Sequence, residues 1–174
     1  DGAGKLVPAA PPSIASRPGA GPRHAGFHPS GPFAYVLNEL DSTLTAYRFD
    51  AETGTLEPRQ TVTTLPSGWS GRNTTSEIAV APSGRFVYAS NRGHDSVVVF
   101  RVDPAGGTLA PIGWAPTQGK TPRFIGLDPA GAMLYAANQD SDSIVAFRVD
   151  PQSGTLTPTG QVVTVGSPST IVFR

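Results

Sequence analysis

The chain is predicted to be all-β, built from propeller blades of four antiparallel strands, and three observations predict it. The first is a repeat. Pro29-Ser30-Gly31, Pro82-Ser83-Gly84 and Pro129-Ala130-Gly131 each precede an apolar run carrying Tyr35, Tyr88 or Tyr135, and Asn38, Asn91 or Asn138 follows three residues later. The period is 53 residues from Pro29 to Pro82 and 47 from Pro82 to Pro129, the range of a propeller blade. The second is that the apolar runs are short and rich in β-branched and aromatic residues, with no helical spacing. The third is punctuation. The 20 Gly and 18 Pro recur at fixed places in the repeat, which makes them turn residues and leaves no room for an uninterrupted helix.

The copy beginning at Ser76 shows the elements in order. Ile78-Ala79-Val80 is a first strand, closed by Ala81-Pro82-Ser83-Gly84, where Pro sets φ and Gly tolerates a positive one. Phe86-Val87-Tyr88-Ala89 is a second strand, stopped by the polar stretch Asn91 to Asp95. Val97 to Val102 is a third, and Asp103-Pro104-Ala105-Gly106-Gly107 turns the chain into a weaker fourth from Thr108 to Trp114. Short antiparallel connections of this kind make one blade. By the same reading, blades occupy residues 22–74, 75–121 and 122–167. Residues 1–21 hold a trailing outer strand and a connection, because Gly4-Lys5-Leu6-Val7-Pro8 resembles Gly54-Thr55-Leu56-Glu57-Pro58. Residues 168–174 read as a ring-closing first strand, because Pro168 to Phe173 resembles Pro122 to Leu127.

About three and a half blades are therefore expected, whereas closed propellers have about four to eight. Open sheet edges are an aggregation liability unless another polypeptide covers them. The expected partner is the remaining half of a larger propeller or a second copy of this chain. Lys plus Arg and Asp plus Glu both number 13 and the net charge is zero, so nothing suggests bulk attraction to nucleic acid or to an anionic membrane. There is no cysteine, hence no disulfide framework and no thiolate chemistry. No apolar run approaches the ~20 residues that span a bilayer. Pro8, Pro11 and Pro12 interrupt the only apolar stretch near the start, so no signal peptide is read and a cytoplasmic location is expected.

If the first strand of each blade lines the central channel, the residues entering it converge at one mouth. They are His24, Glu77 and, one position earlier, Arg123. Structural repeats put similar residues at equivalent positions, so unlike ionisable groups at one rim are what a binding site looks like. Arg72, in the longest connection, and Arg92, in an Asn-x turn shared with Glu39 and Gln139, are candidate substrate-binding residues at the same mouth. No metal-ligand spacing is present. Asp140 and Asp142 suggest calcium less well than a recurring Asp-Ser turn, and His94 reads as an exposed turn residue. Trp69 either covers the channel mouth or packs under its Gly-rich loop.

Several stretches resemble the seven-bladed propeller lactonases, the family of propeller-type 6-phosphogluconolactonase and carboxy-cis,cis-muconate cyclase. They are Gly21-Pro22-Arg23-His24-Ala25-Gly26-Phe27-His28-Pro29, Ser90-Asn91-Arg92-Gly93-His94-Asp95-Ser96, Lys120-Thr121-Pro122-Arg123, and Asn138 to Asp142 followed by Phe147-Arg148-Val149-Asp150. The resemblance covers nearly the whole chain and corresponds to the second half of the family's domain. It implies a lactone hydrolase acting on a small anionic sugar lactone, without a cofactor, with His24, Glu77 and Arg123 at the catalytic positions. Lactone hydrolysis needs a base for water and a cation or N–H donor for the oxyanion. His24 or Glu77 suits the first role, and Arg123 or Arg72 the second. The alternatives are a muconate-type lactonizing cyclase, a propeller kept as a protein-interaction platform, and a structural Glu77–Arg123 ion pair in place of a site.

Overall fold

The computed structural model describes every residue except Asp1, Leu6, Ala9 and Arg174. Among the described residues, twelve strands form three four-stranded antiparallel sheets. The first sheet holds β1 (Pro22–Phe27), β2 (Phe33–Asn38), β3 (Thr43–Asp50) and β4 (Thr55–Thr63). The second holds β5 (Thr74–Val80), β6 (Phe86–Arg92), β7 (Ser96–Val102) and β8 (Leu109–Pro116), and the third β9 (Pro122–Leu127), β10 (Met133–Asn138), β11 (Ser143–Val149) and β12 (Leu156–Thr164). Each sheet runs in chain order, as a propeller blade does. A single 3-10 turn at Gln139–Ser141 is the only helical element among the described residues, and no helix there is long and apolar enough to cross a membrane.

The first strands are the inner ones, since β5 packs against both β1 and β9. Outer strands β4 and β12 are mostly exposed. The core lies between blades. Tyr35, Leu37 and Leu44 of the first sheet meet Ile78, Val87, Ala89, Val98 and Phe100 of the second. On the far side, Phe86, Tyr88, Val97 and Val99 meet Ile125, Leu134, Ala136, Val145 and Phe147 of the third. Successive residues of a strand point to opposite faces. A middle blade buried on both faces therefore reads as an unbroken apolar run, which is the physical reason for Val97-Val98-Val99-Phe100.

Buried asparagines join the blades. Asn91 Nδ2 donates to the Thr64 carbonyl at 2.9 Å and Asn138 Nδ2 to the Thr117 carbonyl at 3.0 Å, each fastening the end of the preceding sheet. Ser42, Asp95 and Asp142 sit at φ of 54°, 53° and 51°, and their carbonyls accept from Thr64, Thr117 and Val165 N–H. This places Ser42, not Asp41, in register with Asp95 and Asp142.

The two terminal segments are not strands in this structure. Among the described residues no strand precedes Pro22, so Gly4, Lys5, Val7 and Pro8 form no outer strand, and Leu6 lies outside the described residues. Residues 168–173 are not in a strand either. A strand requires a ladder partner, and neither segment has one among this chain's strands. Phe173 packs its ring against Tyr135 at 5.4 Å, on the flank of the third sheet.

Candidate active site at the upper mouth

Each inner strand carries one irregularity, at the same place. In β1, Pro22 pairs with Asn38 and His24 with Leu37, leaving Arg23 extra. In β5, Thr75 pairs with Asn91 and Ile78 with Ala89, so Ser76 and Glu77 share one partner position. In β9, Pro122 pairs with Asn138 and the next pair is Phe124 with Ala137, leaving Arg123 extra. A bulge re-aims the side chains beside it, and bulges concentrate next to sites. The register makes Arg23, Ser76 and Arg123 equivalent, and His24, Glu77 and Phe124 equivalent.

The bulges are stitched across the three blades. Arg23 Nη1 donates to the Ser76 carbonyl by a short hydrogen bond, and Ser76 Oγ donates to the Arg123 carbonyl at 2.6 Å. His24 Nδ1 lies 2.5 Å from Glu77 Oε1. Glu77 is fixed further by Ile78 N–H donating to the same oxygen at 3.1 Å and by its own N–H donating to Ser90 Oγ at 3.0 Å. The His24 side chain is 41% exposed and that of Glu77 14%, so the imidazole faces solvent from a carboxylate set behind it. With the Nδ1 proton given to Glu77, Nε2 carries the lone pair. Arg23 Nη1 stands 3.3 Å from both ring nitrogens of His24. Equal distances place a cation against the ring, not a donor aimed at one lone pair.

Glu77 pairs with His24, and among the described residues no Glu77–Arg123 ion pair forms. Arg123 is half-buried and its guanidinium has no acidic partner among the described residues. Arg72 is exposed and Arg92 half-buried, and both line a hollow of about 530 Å³ with Asn73, Thr74, Gly93 and Thr121. His24, Glu77 and Arg123 are not among its lining residues. Arg92 is committed elsewhere: Nη2 lies 2.5 Å from Glu39 Oε1 and donates to the Thr75 carbonyl at 2.9 Å. Glu39 Oε2 lies 3.4 Å from Arg23 Nε, so one carboxylate of the first blade bridges two arginines. Thr121 borders the hollow at φ 56°, a strained conformation for a β-branched residue and one that clusters at functional sites. Asp95 Oδ1 accepts its N–H at 2.9 Å, and its hydroxyl donates to Asp140 Oδ2 at 2.5 Å.

Sequence reasoning gave no role to Arg23, Glu39, Ser76 or Ser90. The signal for Arg23 was present, since it precedes His24 and follows a proline, as Arg123 does. The bulge that makes it the counterpart of Arg123 is visible only in the pairing. His94 is not the exposed turn residue expected: it is half-buried, with Nδ1 2.6 Å from Ser96 Oγ and its ring edge-on to Trp69 at 4.7 Å. Trp69 lies over Gly71, where an added Cβ would meet its ring at 2.6 Å. Among the described residues no three His, Cys, Asp or Glu gather as a metal ion would need.

Three four-stranded blades stacked side by side, with bulged inner strands that carry His24, Glu77 and Arg123, define a partial β-propeller. A family description of lactonases with a seven-bladed β-propeller matches residues 1–173, and the chain belongs to that family. It is 42% identical over 106 residues to the 6-phosphogluconolactonase of Bacillus subtilis (strain 168), covering 61% of this chain and 30% of that protein. The 6-phosphogluconolactonase of Pectobacterium carotovorum subsp. carotovorum (strain PC1) is 42% identical over 100 residues, 58% of this chain and 30% of its own. The periplasmic gluconolactonase of Pseudomonas aeruginosa superposes with a TM-score of 0.87 at 37% identity, over 93% of this chain and 45% of that one. This chain thus spans about a third of the curated relatives it matches and under half of the solved propeller.

Proposed function

We propose that the upper mouth is a lactone-hydrolysing site for a small anionic sugar lactone of the 6-phosphogluconolactone kind. The observation that carries the reading is the 2.5 Å bond from His24 to Glu77 across two blades. A carboxylate behind Nδ1 fixes the tautomer and stabilises the imidazolium that forms when Nε2 takes a proton, the division of labour of a Ser-His-Asp triad with water as nucleophile. Water attacks the lactone carbonyl, His24 Nε2 takes its proton, and the same proton passes to the departing ring oxygen to give the open hydroxy acid. Arg123, lacking an acidic partner, faces the developing oxyanion. Arg72 holds the substrate's anionic group. Arg92 and Glu39 hold Arg23 against His24, which makes Arg92 a positioning residue in this scheme. The relatives named above carry lactonase names, which supports the substrate class. Further blades, from a longer chain or a second copy, supply the rest of the mouth.

The test is lactone hydrolysis followed by acid release with the intact protein and with Glu77→Gln. A loss of about 10²-fold or more in kcat is expected; unchanged turnover removes Glu77 from the mechanism. Arg123→Gln is expected to lower kcat by about 10²-fold, as loss of an oxyanion donor does. A rise in KM alone would assign Arg123 to substrate binding instead.

A further inference from the structure

The outer strands of neighbouring blades are joined differently at the two blade interfaces of this chain. Leu56, Leu109 and Leu156 lie at the start of the three outer strands, and each ladder breaks register just after Pro58, Pro111 or Pro158. Two residues beyond the proline stand Gln60 in the first blade and Gly113 in the second. Gln60 pairs with Ala46, which belongs to the core between the first and second blades. Gly113 pairs with Val99, which belongs to the core between the second and third. Directly paired residues share one face of a sheet, so Gln60 faces the second blade and Gly113 the third.

The Asp103 N–H donates to the Thr108 carbonyl at 2.8 Å and the Asp150 N–H to the Thr155 carbonyl at 3.0 Å. In an antiparallel pair the next residue turns its backbone groups the other way, so Leu109 and Leu156 direct theirs away from β7 and β11. At the first interface Gln60 meets them: its Oε1 accepts from the Leu109 N–H at 2.7 Å and its Nε2 donates to the Leu109 carbonyl at 3.1 Å. At the second, Gly113 has no side chain to offer, and the Leu156 N–H and C=O have no partner among the described residues. An added Cβ at Gly113 would meet nothing within 4 Å. An open slot of about 270 Å³ remains there, and no charged residue lines it. Val99 and Ala115 of the second blade and Phe147, Leu156 and Pro158 of the third form its walls.

We propose that this slot binds a small primary carboxamide. Its amide group pairs with the Leu156 N–H and C=O as that of Gln60 pairs with Leu109, and its apolar body lies against Val99 and Phe147. A carboxamide brings both the acceptor and the donor that the Leu156 edge calls for, whereas a carboxylate has no donor for the carbonyl. The slot is just under the ~300–1,000 Å³ of drug-sized sites, so its occupant is small. The proposal does not depend on the lactonase reading, because none of its residues belongs to the upper mouth.

Titration of the protein with benzamide, followed through the backbone amide signals of Gly113 and Leu156 in two-dimensional NMR, tests it. Saturable binding with a Kd on the order of 1 mM is expected for so small a ligand. N,N-dimethylbenzamide, which has no N–H to donate, and acetamide, which has no apolar body, should each bind about tenfold more weakly or worse. Gly113→Gln supplies the missing side chain, so it should remove benzamide binding and slow hydrogen exchange at the Leu156 N–H. Gly113→Leu fills the slot without an amide and should remove binding as well. Absence of saturable benzamide binding, or binding that survives either Gly113 variant, overturns the site. N,N-dimethylbenzamide binding as tightly as benzamide overturns the pairing with Leu156, and acetamide binding as tightly overturns the role of the apolar walls.

Discussion

Two tyrosines at equivalent repeat positions differ in one hydrogen bond, and that difference sets their energetics. Tyr88 and Tyr35 are both fully buried, yet the Tyr88 hydroxyl donates to the Gly154 carbonyl at 3.0 Å whereas that of Tyr35 has no partner. Tyr88→Phe should cost about 1 kcal/mol in denaturant unfolding, and Tyr35→Phe should be neutral or stabilising. Equal losses would mean that the Tyr35 hydroxyl is satisfied in solution. Burial also pushes the Tyr35 phenol up to about 12 and that of Tyr88 higher still, against about 10 in an unfolded chain. The folded form is therefore fully favoured below pH 10 and loses stability as pH rises from there, because the unfolded state releases its protons first. An absorbance titration should show both tyrosines ionising only with unfolding. Gly84 makes a further residue-scale case. Its φ is +70° and an added Cβ would sit 2.4 Å from the His28 ring, so Gly84→Ala should cost about 2 kcal/mol or more.

At the scale of elements, the hairpin loops and blade connections carry the repeat's polar residues. Asn91 Nδ2 donates to the Thr64 carbonyl, and its Oδ1 accepts from the Thr64 hydroxyl at 2.7 Å and from Asn73 Nδ2 at 3.0 Å. Asn91→Ala strands several buried groups and should cost about 3 kcal/mol. Asn38→Ala should cost less, since that amide donates only to the Thr43 and Thr45 hydroxyls of its own sheet. The outer turns behave as acid-sensitive clasps. The pKa of Asp150 is lowered first by the Ser153 N–H and then by that of Gln152, and that of Asp50 first by the Thr53 hydroxyl. A carboxylate whose folded pKa is depressed adds stability above its unfolded value near 4, and that stability is lost as pH falls below it. The double variant D50N/D150N should therefore lie below wild type at pH 7 and converge with it in acid, as thermal melts across pH 2–7 would show. The turns and strands behind these effects were legible in the repeat, because Pro, Gly and Asn mark backbone demands that are local. The bulges were not, because an extra residue shows only against a partner strand.

At the scale of the molecule, only the middle blade has neighbours on both faces. Phe27 of the first sheet is 56% exposed, and Val163 of the third is 59% exposed on the face away from the second blade, apolar surface that a further blade of a seven-bladed ring would cover. If a second copy supplies that cover, sedimentation should show concentration-dependent dimerisation, and specific lactonase activity should rise with protein concentration. A chain that stays monomeric at all concentrations would exclude self-assembly and leave ring closure to blades of other sequence.

The repeat by itself determined the blade architecture and the candidacy of His24, Glu77 and Arg123, because turn chemistry and strand periodicity are written locally, whereas the packing of β5 against β1 and β9 placed the first strands innermost. Tertiary structure decided which of these side chains meet. Blade packing brought His24 to Glu77, 53 positions apart in sequence, committed Arg92 to Glu39, and revealed Arg23 as the counterpart of Arg123. Such meetings depend on register between sheets, which is set by the packing of their buried faces and by no residue alone.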